Sequence, residues 1–107
     1  MVFMIRNSIW NLCFVENLSR KLLRSDGTIS IGVTDNNDKC VYIAAGLDAE
    51  LKEKVICHEL THCVCFEYNI SIPIETEEWL CNFMSEHGKE IIYILDDILD
   101  GLLKEAA

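Results

Sequence analysis

The sequence predicts a small α+β domain: an antiparallel sheet of about three strands, packed on a helix that carries an HExxH motif, with two further helices behind it. Three observations predict it. Three β-type apolar runs lie within the first 45 residues, the apolar period becomes helical after Gly46, and no linker or repeat divides the 107 residues. A chain of this length makes one domain, here residues 1–107, and buries enough surface for a core of its own.

The elements follow in order. Trp10, Leu12 and Phe14 alternate with Asn11, Cys13 and Val15, which places a strand over 8–15, followed by a helical turn over 17–24 that Ser25-Asp26-Gly27 closes. Thr28–Thr34 and Lys39–Ala45 are β-rich runs that flank Asp35-Asn36-Asn37-Asp38. Asx residues tolerate left-handed backbone and bond their own main chain, so the spacing predicts a hairpin, with Gly32 marking a bulge. Asp48 reads as the N-cap of a helix to about Tyr68, which Asn69 and Pro73 terminate. A second helix is expected from about Thr76 to His87, with Gly88 as its stop or kink. A third follows over Glu90–Leu103, where Ile91, Ile94, Leu95, Ile98 and Leu102 share one stripe and the aspartates lie largely off it.

Composition narrows the function. Eighteen acidic against nine basic residues give a net charge of −9, and the longest basic cluster is Arg20, Lys21, Arg24. Nucleic acid and membrane are therefore excluded as expected partners. Six cysteines could suggest a disulfide scaffold, but the start MVFMIRNSIWNLCFVE does not read as a secretory leader. Reduced core thiols and a cytoplasmic location are expected. The stripe on the last helix is wide enough that a homodimer through it is a further expectation.

His58-Glu59-Leu60-Thr61-His62 carries the chemistry. Residues four apart on a helix project from one face, so both imidazoles can reach a single zinc ion. Glu59 lies about 100° round from His58 and is placed to take a proton from a water on that ion rather than to bind the metal. A structural zinc site using Cys57, Cys63 or Cys65 is disfavoured, because no CxxC pair occurs. The third ligand is sought in Glu75-Thr76-Glu77-Glu78-Trp79-Leu80-Cys81-Asn82-Phe83. Glu78 is preferred, with Asn82 four residues on to steady the site from behind. Glu77 stays open as an alternative, although it shares a face with Leu80, Cys81 and Met84 and is expected to point there. His87 is a candidate to stabilise a transition state, against the plainer reading of a histidine favoured near a helix C-terminus.

HELTH on its helix, followed by EEWLCNF, resembles the ImmA/IrrE-type metallopeptidases, in particular small versions from phages and prophages of Gram-positive bacteria. The likeness covers roughly residues 28–95. It implies a zincin-like fold, His58 and His62 as zinc ligands, Glu59 as general base, and Glu78 as third ligand with Asn82 four residues later. The implied activity is a zinc-dependent endopeptidase acting on an intracellular protein, with phage or mobile-element repressors as the implied substrate class. A catalytically weak, metal-stabilised interaction module of phage origin is the alternative. The intact Glu59 favours the enzyme, since a pure binder has no need of a carboxylate beside His58.

Overall fold

Residues 1–106 are described by a computed structural model. Four strands form one sheet: β1 (Val2–Ile5), β2 (Ser8–Val15), β3 (Gly32–Asp35) and β4 (Cys40–Ala44). Two helices follow, α1 (Ala49–Glu67) and α2 (Ile74–Ala106). The domain is α+β as expected, with one strand more and one helix fewer.

The extra strand is β1. It pairs antiparallel with β2 across a two-residue turn, Arg6-Asn7, where Arg6 adopts a left-handed φ of 53°. Phe3 lies opposite Trp10, with ring centroids 6.3 Å apart. The sheet order is β1-β2-β4-β3, and β2 and β4 are parallel, so the sheet is mixed rather than antiparallel. Parallel neighbours need a crossover. Here the chain leaves β2 through a single 3-10 turn at Arg20–Leu22, enters at the far edge as β3, and hairpins back into the gap as β4.

The hairpin forms as its residues dictate. Asp35 Oδ1 accepts the backbone N–H groups of Asn37 and Asp38, and Lys39 takes a φ of 54°. Residues 28–31 stay outside the strand, apart from a lone bridge between Leu23 and Ile29. Gly32 marks a close approach, not the expected bulge. A Cβ there would lie 2.7 Å from Val55 Cγ1 and 3.1 Å from Glu59 Cγ, so the missing side chain lets α1 lie directly on β3.

One face of the sheet packs Trp10, Leu12, Val41 and Ile43 against Val55 and Cys63 of α1. On the other face, Leu22 of the 3-10 turn covers Tyr42 and Ala44. Asp48 caps α1 by accepting the Leu51 N–H at 2.9 Å. At the other end Asn69 sits at φ 52°, while the Asn69 and Ile70 N–H groups bond back to Phe66 and Cys65 carbonyls, a Schellman closure.

The two helices expected after Pro73 are one. The Pro73 carbonyl accepts the Thr76 and Glu77 N–H groups, which starts α2 two residues before Thr76, and Gly88 neither stops nor breaks it. The reason is packing: Gly88 is buried where α1 passes, and a Cβ there would lie 3.0 Å from Met84 Cε. The helices run antiparallel, with His62 beside Glu77, Cys57 Sγ donating to the Met84 carbonyl, Lys54 paired with Glu86 and Glu53 with Lys89. No helix among the described residues is long and apolar enough to cross a membrane.

Candidate metal centre

The i, i+4 spacing on α1 brings His58 and His62 together, with ring centroids 5.1 Å apart. The start of α2 supplies carboxylates to both. Glu78 Oε2 lies 3.2 Å from His58 Nε2, and Glu78 Oε1 lies 3.0 Å from His62 Nε2. Two donors on one tetrahedral zinc, at bonds of about 2.0–2.2 Å, stand about 3.3 Å apart. The imidazoles and Glu78 thus already hold separations close to those of shared coordination.

Glu77 does not point away toward Leu80 and Met84 as expected. Its Oε2 lies 2.6 Å from His62 Nδ1. That is the carboxylate–histidine pairing that fixes the tautomer and orientation of a metal-binding ring. A neutral ring donates at one nitrogen only. With Nδ1–H given to Glu77, the Nε2 lone pair faces the Glu78 oxygen, and a cation between these two acceptors satisfies both.

Glu59 turns toward the sheet and is 5% exposed. Thr34 Oγ1 donates to its Oε1 at 3.0 Å, and Oε2 stays 3.8 Å from His58 Nε2. Among the described residues, no Lys or Arg pairs with Glu59, Glu77 or Glu78; their partners within ion-pair distance are the two histidines. Three carboxylates around two imidazoles leave the cluster short of positive charge. Glu59, His62, Glu77 and Glu78 line an open cleft of about 580 Å³, whose wall includes Gly32 and Thr34 of β3.

Cys81 is the residue that the motif reading left out. A donor atom from each of His58, His62 and Cys81 lies within 4.8 Å of the others, so these three form a group able to hold a metal ion. Cys81 is fully buried, and burial first, then the charge of Glu78, pushes its thiol up to about 12. A signal was present: Cys81 follows Glu77 by four residues and Glu78 by three, so it shares their side of α2. All six cysteines are free thiols. Cys57 is engaged with Met84, and Cys63 is buried in the core.

Asn82 and His87 stand outside the cluster. Asn82 is exposed, its recorded bond being the backbone carbonyl that accepts from Ser85 Oγ. His87 is also exposed, lies against Phe83 at 5.0 Å between centroids, and faces Glu90 at 3.3 Å. It is Glu77, not Asn82, that lies against a histidine of the cluster.

Compared with known protein families, with curated proteins and with solved structures, the chain matches none.

Proposed function

We propose that the chain is a zinc-dependent endopeptidase, with His58, His62 and Glu78 as metal ligands and Glu59 as general base. One observation carries the reading. Both imidazole Nε2 atoms face the same carboxylate at 3.0 and 3.2 Å, while a second carboxylate, Glu59, stands at the rim of the group and beside an open cleft.

Zinc held there would supply Lewis acidity toward a peptide carbonyl and ease deprotonation of water. The rest falls to the chain's own residues. Thr34 ties up Glu59 Oε1, which leaves Oε2 to take a proton from the attacking water and return it to the departing amine. Glu77 holds the His62 ring in register. β3 is an edge strand beside the cleft, and its Gly32 carries no side chain. An extended peptide can add to that edge by main-chain hydrogen bonds, which supports a protein substrate. The narrower class, phage or mobile-element repressors, rests on the resemblance of HELTH and EEWLCNF alone.

Cys81 favours a second reading, the metal-stabilised interaction module. If its sulfur joins the two histidines and Glu78, four protein donors close a tetrahedral ion and leave no position for water. Cobalt substitution separates the two: a thiolate ligand gives a near-ultraviolet charge-transfer band that Cys81→Ser removes, and the peptidase reading expects no such band. Glu59→Gln tests the enzyme directly. Metal content should survive, while proteolysis falls by about 10²–10⁴-fold. An unchanged rate in that variant overturns Glu59 as the base.

A further inference from the structure

α2 docks on α1 along one seam. Glu77, Cys81, Met84 and Gly88 follow each other at steps of four, three and four residues; Glu77 bonds His62, and Cys81 and Gly88 are buried. The alternation does not stop there. Ile91, Leu95, Ile98 and Leu102 continue it without a break, as a heptad seam does. What stops is the partner: Glu53 pairs with Lys89, and α1 begins one turn earlier at Ala49. Beyond that point Ile91, Leu95, Ile98 and Leu102 are 46–55% exposed.

The shape of the molecule agrees. Its radius of gyration is 16.1 Å and its long axis 56 Å. A compact chain of this length has a radius of about 13 Å. The distal half of α2 stands out as a rod with a bare apolar face.

We propose that this face is covered by the same face of a second copy of the chain. On that side of the helix six large apolar side chains, Ile91, Ile94, Leu95, Ile98, Leu99 and Leu102, are 46–55% exposed. Together they offer on the order of 550 Å² of surface, near the roughly 600 Å² per partner at the low end of stable interfaces. Charge favours a copy of the same chain as occupant. At 100° per residue, Asp96, Asp97, Asp100 and Lys104 all fall on the side of the helix away from the seam. Two chains of net charge −9 can therefore meet along Ile91–Leu102 without setting like charges against each other. A basic partner, by contrast, finds no acidic group on that face between Ile91 and Leu102, the one seam carboxylate being Glu105 at the tip. Ile94 and Leu99 flank the seam and widen the contact, and an isologous pairing buries both copies' faces at once.

The experiment is the mass in solution of the full chain, by light scattering and sedimentation, from about 1 µM to about 500 µM, where interfaces of this size associate. The expected result is two chains or more, against 12.2 kDa for one, with dissociation on dilution. Leu95→Glu with Ile98→Glu should restore the single-chain mass, and Asp97→Ala with Asp100→Ala should leave the assembly intact. The two glutamates replace side chains already exposed in the single chain, and Leu102→Glu alone serves as a second variant if the pair fails to fold. A single-chain mass at the highest concentration overturns the proposal. So does an assembly that survives the seam variants.

Discussion

Glu59 and Glu67 sit about two turns apart on the same helix, and both carboxylates are largely shielded from water. Their surroundings differ in kind. Glu67 accepts from Lys39 Nζ at 2.8 Å, Ser8 Oγ at 2.7 Å and Trp10 Nε1 at 2.9 Å. Its charge and its lone pairs are answered from within the chain, and α1 is thereby pinned to β2 and to the end of the hairpin. Glu59 has one hydroxyl, from Thr34, and shares its corner with Glu77, Glu78 and two imidazoles, with no Lys or Arg paired to any of the three among the described residues. A shielded carboxylate is costly unless compensated. The first is finished by the fold, and the second belongs to a cluster that a bound cation would complete.

The largest expected effects test that contrast through metal affinity. On the proposed ligand set, His62→Ala and Glu78→Ala should each weaken zinc binding by more than about 100-fold, because each would remove a ligand outright. Glu77→Gln should cost about 10–100-fold, the usual range for a group that orients a metal-binding histidine. Glu67→Gln should leave affinity unchanged. Competition with a chromogenic chelator reads all four. A loss in Glu67→Gln comparable to that in Glu78→Ala would break the contrast, and an unaffected Glu77→Gln would remove Glu77 from the site.

How far the sequence reveals this depends on the range of the interaction. The HExxH helix, its Asp48 cap, the Asx turn of the hairpin and β2 are set by neighbours a few residues apart and appear where the pattern puts them, although β3 begins at Gly32 and not at Thr28. The order of the sheet is a long-range fact. Nothing local in β4 says that it will slot in parallel to β2, and β1 is only four residues of mixed exposure. Gly88 reads as a stop because glycine costs about 1 kcal/mol inside a helix, and its burial against α1, with Cys57 Sγ 4.0 Å from where a Cβ would stand, is a long-range fact. In the site, the i, i+4 histidines were legible at once. Glu77 was not, since its face looked like the edge of a core until His62 turned out to lie on it. Glu67 gives no signal at all: an acidic residue in the last turn of a helix is unfavourable by the dipole, and its partners lie 28, 57 and 59 residues away.

A smaller effect is expected at the wall between the two carboxylates' worlds. In Gly32→Ala the new Cβ would meet Val55 Cγ1 at 2.7 Å and Glu59 Cγ at 3.1 Å. Val55 is β-branched and stiff, and Glu59 is held by Thr34, so neither yields freely. The substitution should cost about 1–3 kcal/mol by overpacking, and should reduce proteolysis by moving Glu59. Denaturant unfolding and a rate measurement check the two parts separately. Stability lost without any change in rate would show that Glu59 tolerates the displacement.

The smallest effect is the most specific to Glu67. The hydrogen bond from Lys39 first, then that from Ser8, with Trp10 adding to both, hold its carboxyl at about 2, well below the ordinary 4.5. A carboxylate whose pKa is lowered by folding stabilises the native state fully above its unfolded value, and that contribution fades as pH falls toward the folded one. The window here runs from about pH 4.5 down to about pH 2. Glu67→Gln removes the charge, keeps the size, and leaves Lys39 without its anion. The variant should melt a few degrees below wild type at pH 7, by thermal unfolding followed with circular dichroism. As pH drops through the window the gap should close, because wild type loses what the variant never had. Other carboxylates titrate over the same range and lower both curves, so the difference between the curves carries the information. A gap that stays constant from pH 7 to pH 2 would mean that Glu67 contributes by packing and neutral hydrogen bonds, and that the charge pairing with Lys39 is not what separates it from Glu59.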